Sequence, residues 1–242
     1  MSVLLGVQFG LLVCVAMGEP RELLPGVWVD DGVVEIDASV AMDCHHPETP
    51  DVYLEMLITG PDTREHESLL VSEVKPSNLH AGLLAAGFEP GKPVQFVDGK
   101  RVSATGDGVV VEVRIEDSEE WVKLVDWVSH VDEGSALVED VGWAGLVFAG
   151  SKIRGGGVYA GDREGALVSL TPWGFEVVSP AWTVSPDAAV DEPVWIANRE
   201  LVPAMGVGVR VRLRKIETET ESETESESKE SHEPDGVHVD DG

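Results

Sequence analysis

The hydrophobic periodicity of this 242-residue chain predicts an α+β fold, mostly β, with a single clear helix at about residues 77–87. Three features carry the prediction. Several stretches alternate apolar and polar residues with a period of two, as half-buried strands do. One stretch switches to the helical period. Gly, Pro and Asp clusters punctuate the chain between them.

The first alternating stretch runs from Val33 to Met42. Val34, Ile36, Ala38, Val40 and Met42 share one face, and Glu35, Asp37 and Ser39 take the other. Asp30-Asp31-Gly32 before it is a turn signal. Val52 to Thr59 reads as a second strand, ended by Gly60-Pro61-Asp62, and Ser68 to Val74 as a third. The helix opens at Pro76-Ser77-Asn78 with Ser77 as N-cap, and Gly87 supplies its stop. Leu79, Leu83 and Ala86 form its apolar stripe, with Leu84 beside it. Glu89 to Pro93 is a loop. Alternation then returns: Val109, Val111, Val113 and Ile115 face away from Glu112, Arg114 and Glu116. Residues 121–127 fit neither period. Short apolar runs at 144–148, 158–160 and 166–170 lie between Gly-rich turns, and residues 171–206 read as long loops with short strands. Val207 to Leu213 is a last strand, with Arg210, Arg212 and Arg214 outward.

Composition sets the domain plan. Residues 1–18 carry no charged side chain, and Ala16-Met17-Gly18 puts small residues where a signal peptidase cuts. The expectation is a signal peptide over 1–18 and an exported protein, periplasmic, cell-surface or secreted. The n-region lacks Lys and Arg, and the apolar run is shorter than the roughly 20 residues of a membrane helix. No other segment is apolar enough to span, so no integral membrane domain is expected in the mature chain. The β-rich domain occupies 19–216. From Glu217 onward Glu alternates with Ser or Thr, and such a segment cannot repay its ordering entropy. Residues 217–242 are expected to be a disordered acidic tail.

The formal net charge is -28, and much of it lies outside the tail. That surface repels nucleic acid and keeps an exported protein soluble; it leaves divalent cations as candidate partners. There are two Cys. Cys14 would leave with the signal, so the lone Cys44 can form no internal disulfide. An iron–sulfur cluster, which needs about four Cys, is not supported, and no cofactor is predicted.

The densest chemistry is Arg64, His66 and Glu67, followed on the helix by His80. Two imidazoles and a carboxylate suit Zn²⁺ or acid–base work. The spacing is not His-Glu-x-x-His, so the metalloprotease reading fails. The plainer reading is structural: His80 falls between Leu83 and Leu84 on the helical wheel, and Arg64 or Glu65 makes an ion pair. Asp43-Cys44-His45-His46 also concentrates metal ligands, but adjacent His residues diverge in extended chain, and a Pro-rich exposed loop explains them. Gly150-Ser151-Lys152 and Gly155-Gly156-Gly157 lack the Walker order and suit a hairpin turn. No Gly-x-Ser-x-Gly elbow is present. Trp173, Trp182 and Trp195 suit either a sugar or peptide groove or a β-rich core.

The run Arg64-Glu65-His66-Glu67-Ser68-Leu69-Leu70-Val71 resembles the YdjY-type domain family. So do Lys75-Pro76-Ser77-Asn78-Leu79-His80-Ala81-Gly82-Leu83-Leu84, Gly87 and Pro90-Gly91-Lys92-Pro93. Leu54-Glu55-Met56-Leu57 upstream and Phe148-Ala149-Gly150-Ser151, Tyr159 and Asp162 downstream fit the family's order. The resemblance spans roughly 27–214 and is strongest over 54–93. It implies a bacterial, often exported domain with no established activity. Some members are linked to ferredoxin-like Cys clusters, and this chain has none. The resemblance places Arg64, His66, Glu67 and His80 in a shared site or a shared fold lock. Two functions follow as expectations: a non-enzymatic binding or structural module, or a metal-binding protein or small enzyme using His66, Glu67 and His80.

Overall fold

The computed structural model describes residues 21–116, 118–132, 145–182 and 184–216. The expected signal peptide, Cys14 and the acidic tail lie outside these residues. Along the chain come strands β1 (Arg21–Leu24), β2 (Val27–Asp30), β3 (Val33–Val40), β4 (Met56–Thr59) and β5 (Ser68–Val71), then helix α1 (Pro76–Ala85). Next are β6 (Gln95–Val97), β7 (Lys100–Val102), β8 (Gly108–Ile115), β9 (Val122–Lys123), β10 (Val128–His130), β11 (Leu146–Phe148), β12 (Ile153–Arg154) and β13 (Val158–Tyr159). A short helix α2 (Ala160–Glu164) precedes β14 (Ala166–Ser169), β15 (Val178–Pro180), β16 (Trp195–Ala197) and β17 (Gly208–Lys215).

Eight strands close a barrel in the order β3, β17, β8, β11, β15, β14, β4, β5, with β5 returning to pair β3. The fold is mostly β, as the alternation predicts. Its long strands are the ones that alternate most cleanly. Val209, Val211 and Leu213 of β17 pair with Ala38, Ile36 and Val34 on one side and with Ile115, Val113 and Val111 on the other. These side chains share one face, and Ile36, Val113, Val211 and Leu213 are fully buried in the core. A single-residue slip would turn that whole row to solvent, so the register is strongly specified.

The outer face of the same strands is a charge ladder. Arg212 and Arg214 donate from Nε to Glu112 Oε2 at 2.7 and 2.9 Å. Burial alone would raise the Glu112 carboxyl; hydrogen bonds from Arg214 and Arg212 outweigh it and hold its pKa below the usual range. Arg212 also lies 4.2 Å over the Trp121 ring, and Arg210 lies 4.4 Å over Trp28.

Two barrel pairings are parallel, β4 with β5 and β14 with β15. A parallel return usually takes about a dozen residues or more. Here the strands have at most four residues, so the short connections 60–67 and 170–177 suffice. These connections position the candidate site.

α1 buries Pro76, Leu79, Gly82 and Leu83. A Cβ on Gly82 would stand 2.6 Å from Val27 Cγ1 and 3.4 Å from Val34 Cγ1, so the glycine lets the helix lie directly on β2 and β3. Gly87, at φ +84, provides the expected left-handed stop.

Several expectations change in detail. The N-cap of α1 is Lys75, in extended conformation, with Pro76 at the first helical position; Ser77 makes no local cap. Its N–H and Oγ donate instead to the Asp162 carboxylate of α2, both at 2.7 Å. A distant side chain has taken over the role assigned to Ser77. The strand expected at 52–59 begins only at Met56, because Tyr53 bridges Ile196 and Leu54 N–H donates to Trp195 O. The strand expected at 68–74 ends at Val71. α2 adds a helix to the one expected; with five residues it is too short to show a helical period.

Candidate functional site

Glu55 stands immediately before β4, Glu67 immediately before β5, and Thr171 just after β14. Because β14 runs antiparallel to β4 and β5 runs parallel to it, all three fall at one end of the barrel. Backbone bonds fix them there. Glu55 N–H donates to Glu67 O at 2.9 Å, and Glu55 O accepts from Leu170 N at 2.9 Å and Thr171 N at 3.0 Å. The one-turn 3-10 helix Glu65–Glu67 is held by Glu67 N–H and Ser68 Oγ, which both donate to Arg64 O. Glu65 secures the preceding turn by accepting from the N–H groups of Thr63 and Asp62.

Burial first, then the neighbouring Glu67 carboxyl, push the Glu55 carboxyl up to about 7 against the opposing pull of Arg64. A buried carboxyl beside a second carboxylate ionises less readily, so Glu55 keeps its proton up to near neutrality. Arg64 Nε lies 3.6 Å from Glu55 Oε2. Its guanidinium also lies 4.9 Å over Trp173 and 5.3 Å over Phe175, whose rings stack at 5.9 Å.

A cavity of about 560 Å³ opens on this pair. Tyr53, Leu54, Glu55, Glu67 and Thr171 form the barrel side, and the loop from Val184 to Val194 with Trp195 forms the outer wall. The loop is pinned from outside. Arg101 of β7 donates to Val184 O at 2.5 Å, and Ser185 N–H donates to Asp191 Oδ2 at 2.5 Å. The result is a small-molecule-sized recess with partly apolar walls and several carboxylates, of a size that suits a ligand pocket.

The structure brings Arg64, His66 and Glu67 together and gives His80 different neighbours. His66 points outward, its side chain 74% exposed and its Nε2 3.8 Å from Glu67 Oε1. His80 Nδ1 lies 2.9 Å from Tyr159 Oη, and the Tyr159 hydroxyl donates to Gly150 O at 3.1 Å. With that proton spent on Gly150, the bond between Tyr159 and His80 requires Nδ1–H as donor. The His80 ring meets Phe148 and Tyr159 edge-on at 4.9 and 5.6 Å. Burial lowers the His80 pKa and favours the neutral ring. Nearby, Ser151 Oγ donates to Phe175 O and accepts from Gly161 N–H. His80, Gly150, Ser151, Tyr159 and Asp162 therefore join α1, the β11–β12 link and α2.

The other candidates have structural neighbours. Asp43 Oδ1 accepts from the N–H groups of His45 and His46, and His45 Nε2 lies 2.7 Å from Val202 O. Cys44 is buried. Among the described residues no three His, Cys, Asp or Glu side chains are grouped to hold a metal. Gly155, Gly156 and Gly157 turn the hairpin between β12 and β13. Trp182 is a core residue; Trp195 is also buried but lines the cavity. The sequence does not mark Glu55, Tyr53, Thr171, Asp191 or Glu192 as candidates. A signal for Glu55 existed: it is the one carboxylate inside the apolar run Val52 to Ile58.

Fold and site together define a small closed β-barrel domain with a carboxyl-bearing pocket at one end. The model of the YdjY domain matches residues 27–214, and the chain belongs to that family. No curated protein and no solved structure matches it significantly.

Proposed function

We propose that this chain is an exported, non-enzymatic binding module, and that its ligand site is the cavity bearing Glu55 and Glu67. The observation that carries the reading is that Glu55 and Glu67 both line a recess of about 560 Å³. Paired carboxyls are costly to hold close together, and a fold keeps such an arrangement where a ligand compensates it. The lining favours binding over covalent chemistry. Among the described lining residues, the side-chain hydroxyls outside Tyr53 belong to Thr171 and Ser185. Ser185 Oγ accepts from Asp187 N–H at 3.1 Å as part of the loop's own structure, and no His is among the described lining residues.

A second reading, a small acid–base enzyme, draws on the same pair, because a carboxyl titrating near 7 suits proton transfer at neutral pH. The metal-binding reading at His66, Glu67 and His80 has less support, since His80 is engaged with Tyr159.

Ligand-observed NMR with a panel of small cationic, neutral and anionic compounds tests the site. Expected are hits whose signals vanish in Glu67→Lys while the variant keeps its fold. A panel in which every hit survives Glu67→Lys would move the site elsewhere. Export is tested by N-terminal sequencing of protein from the native host, where a start near Glu19 is expected. A cytoplasmic chain retaining Met1 would refute it.

A further inference from the structure

We infer that the Glu55–Glu67 cavity takes a small organic ammonium ion, an amine on a flat apolar body, held by the carboxyls that line it. The inference rests on the cavity being the ligand site and adds the ligand's chemistry.

Charge comes first. The acidic lining residues are Glu55, Glu67, Asp191 and Glu192, and the lining holds no Lys, Arg or His among the described residues. Arg64 reaches Glu55 from the flank and is retained there by Trp173 and Phe175. His66 stands beside Glu67, and Arg163 and Glu164 of α2 share the open groove beyond it. Two carboxylates against one guanidinium leave one negative charge uncompensated. A proton fills that place in the free protein, and one ammonium group fills it equally well. The exchange balances: R–NH₃⁺ enters, one H⁺ leaves the pair for solvent, and the ligated cluster of two carboxylates, Arg64 and ammonium is neutral.

Shape comes second. A bare divalent cation wants six or more oxygen ligands at short range, and the described residues offer no such group. The recess is instead of a size that holds a small organic molecule, and much of its wall is apolar, from Leu54, Val184, Val190 and Val194. Tyr53, 42% exposed, and Trp195 present aromatic surface to a flat body or to the cation itself.

Isothermal titration of the whole chain with 2-phenylethylammonium, with its uncharged isostere 2-phenylethanol, and with Ca²⁺ decides the matter. Expected is ammonium binding whose heat depends on the buffer's ionisation enthalpy, showing release of up to about one proton per ligand at pH values near the pair's titration. Affinity should rise by up to roughly tenfold per pH unit below that titration and level off above it. 2-Phenylethanol should bind at least about tenfold more weakly, having no charge to pair. In Glu55→Gln the proton release should disappear and the ammonium preference should shrink. The wild-type buffer dependence stands even if that variant misfolds. Equal binding of alcohol and ammonium without proton release would overturn the ammonium inference and leave the cavity as a binding site. Ca²⁺ binding that displaces the ammonium would overturn it in favour of a metal. No binding by any of the three would count against both the inference and the site.

Discussion

At the scale of single residues, the Glu55 carboxyl has the clearest consequence. Its folded pKa of about 7 lies above the ordinary value of 4.5, so between these limits the folded state binds more protons than the unfolded chain. Stability from this group is therefore fully present below about pH 4.5 and is lost as pH rises through about 7, with a magnitude on the order of 2–3 kcal/mol. Chemical denaturation at about pH 5 and pH 8 should show the wild type losing stability toward pH 8, and Glu55→Gln losing markedly less. Equal slopes in the two proteins would place the titration elsewhere. Glu176 and His80 also shift, and comparing the proteins at matched pH removes their contribution. The His80–Tyr159 contact gives a second expectation. Tyr159→Phe removes the hydroxyl that bonds His80 Nδ1 and Gly150 O and should cost about 1 kcal/mol. His80→Ala should cost at least as much, because ring packing on Phe148 goes too. Urea midpoints of the two variants and of His66→Ala check this, with His66→Ala near neutral because its side chain is mostly exposed.

At the scale of elements, α1 is held by two contacts of different kinds. Its N-terminus is capped by Asp162, so Asp162→Ala should cost about 1 kcal/mol, the usual worth of a capping carboxylate. A cost indistinguishable from zero would mean that water serves the Ser77 N–H as well. Its packing face depends on Gly82. Gly82→Ala would improve helix propensity by about 1 kcal/mol in isolation, yet a methyl at 2.6 Å from a fully buried Val27 must move β2 or the helix. Overpacking of that kind costs roughly 1–3 kcal/mol, so the net expectation is destabilisation. A raised melting temperature for Gly82→Ala would show that α1 can slide on β2.

At the scale of the whole molecule, barrel closure is uneven. β17 pairs along nearly its full length with both β3 and β8, whereas the β3–β5 seam rests on Ser39↔Val71 and Val40↔Leu70. Local opening follows the weaker pairings. Amide hydrogen exchange should therefore be slowest at Val209, Val211 and Leu213, faster at the β3–β5 seam, and fastest in the β6–β7 and β12–β13 hairpins outside the barrel. Uniform protection of seam and centre would show that the barrel opens only as a unit. The seam lies on the strand that Glu67 precedes, so a ligand tying Glu55 to Glu67 should slow exchange there most.

The local pattern of residues was enough to place β3, β8 and β17, because alternation such as Val34-Glu35-Ile36-Asp37 is a property of neighbours in sequence. It placed α1 as well, through its change of period and Gly87. The family was legible too, since Arg64 to Val71 and Lys75 to Leu84 are contiguous runs. What tertiary structure decided was partnership. Nothing local to Glu55 says that Glu67 will meet it, or that the loop carrying Asp191 will close over both. Ser77 looks like an N-cap until Asp162, far along the chain, takes its N–H and Oγ. His80 looks like a possible partner for His66 until Tyr159 claims it. A side chain's period records which way it faces. The pKa of a carboxyl and the use of an imidazole depend on which distant groups share that direction, and closing the barrel settles that.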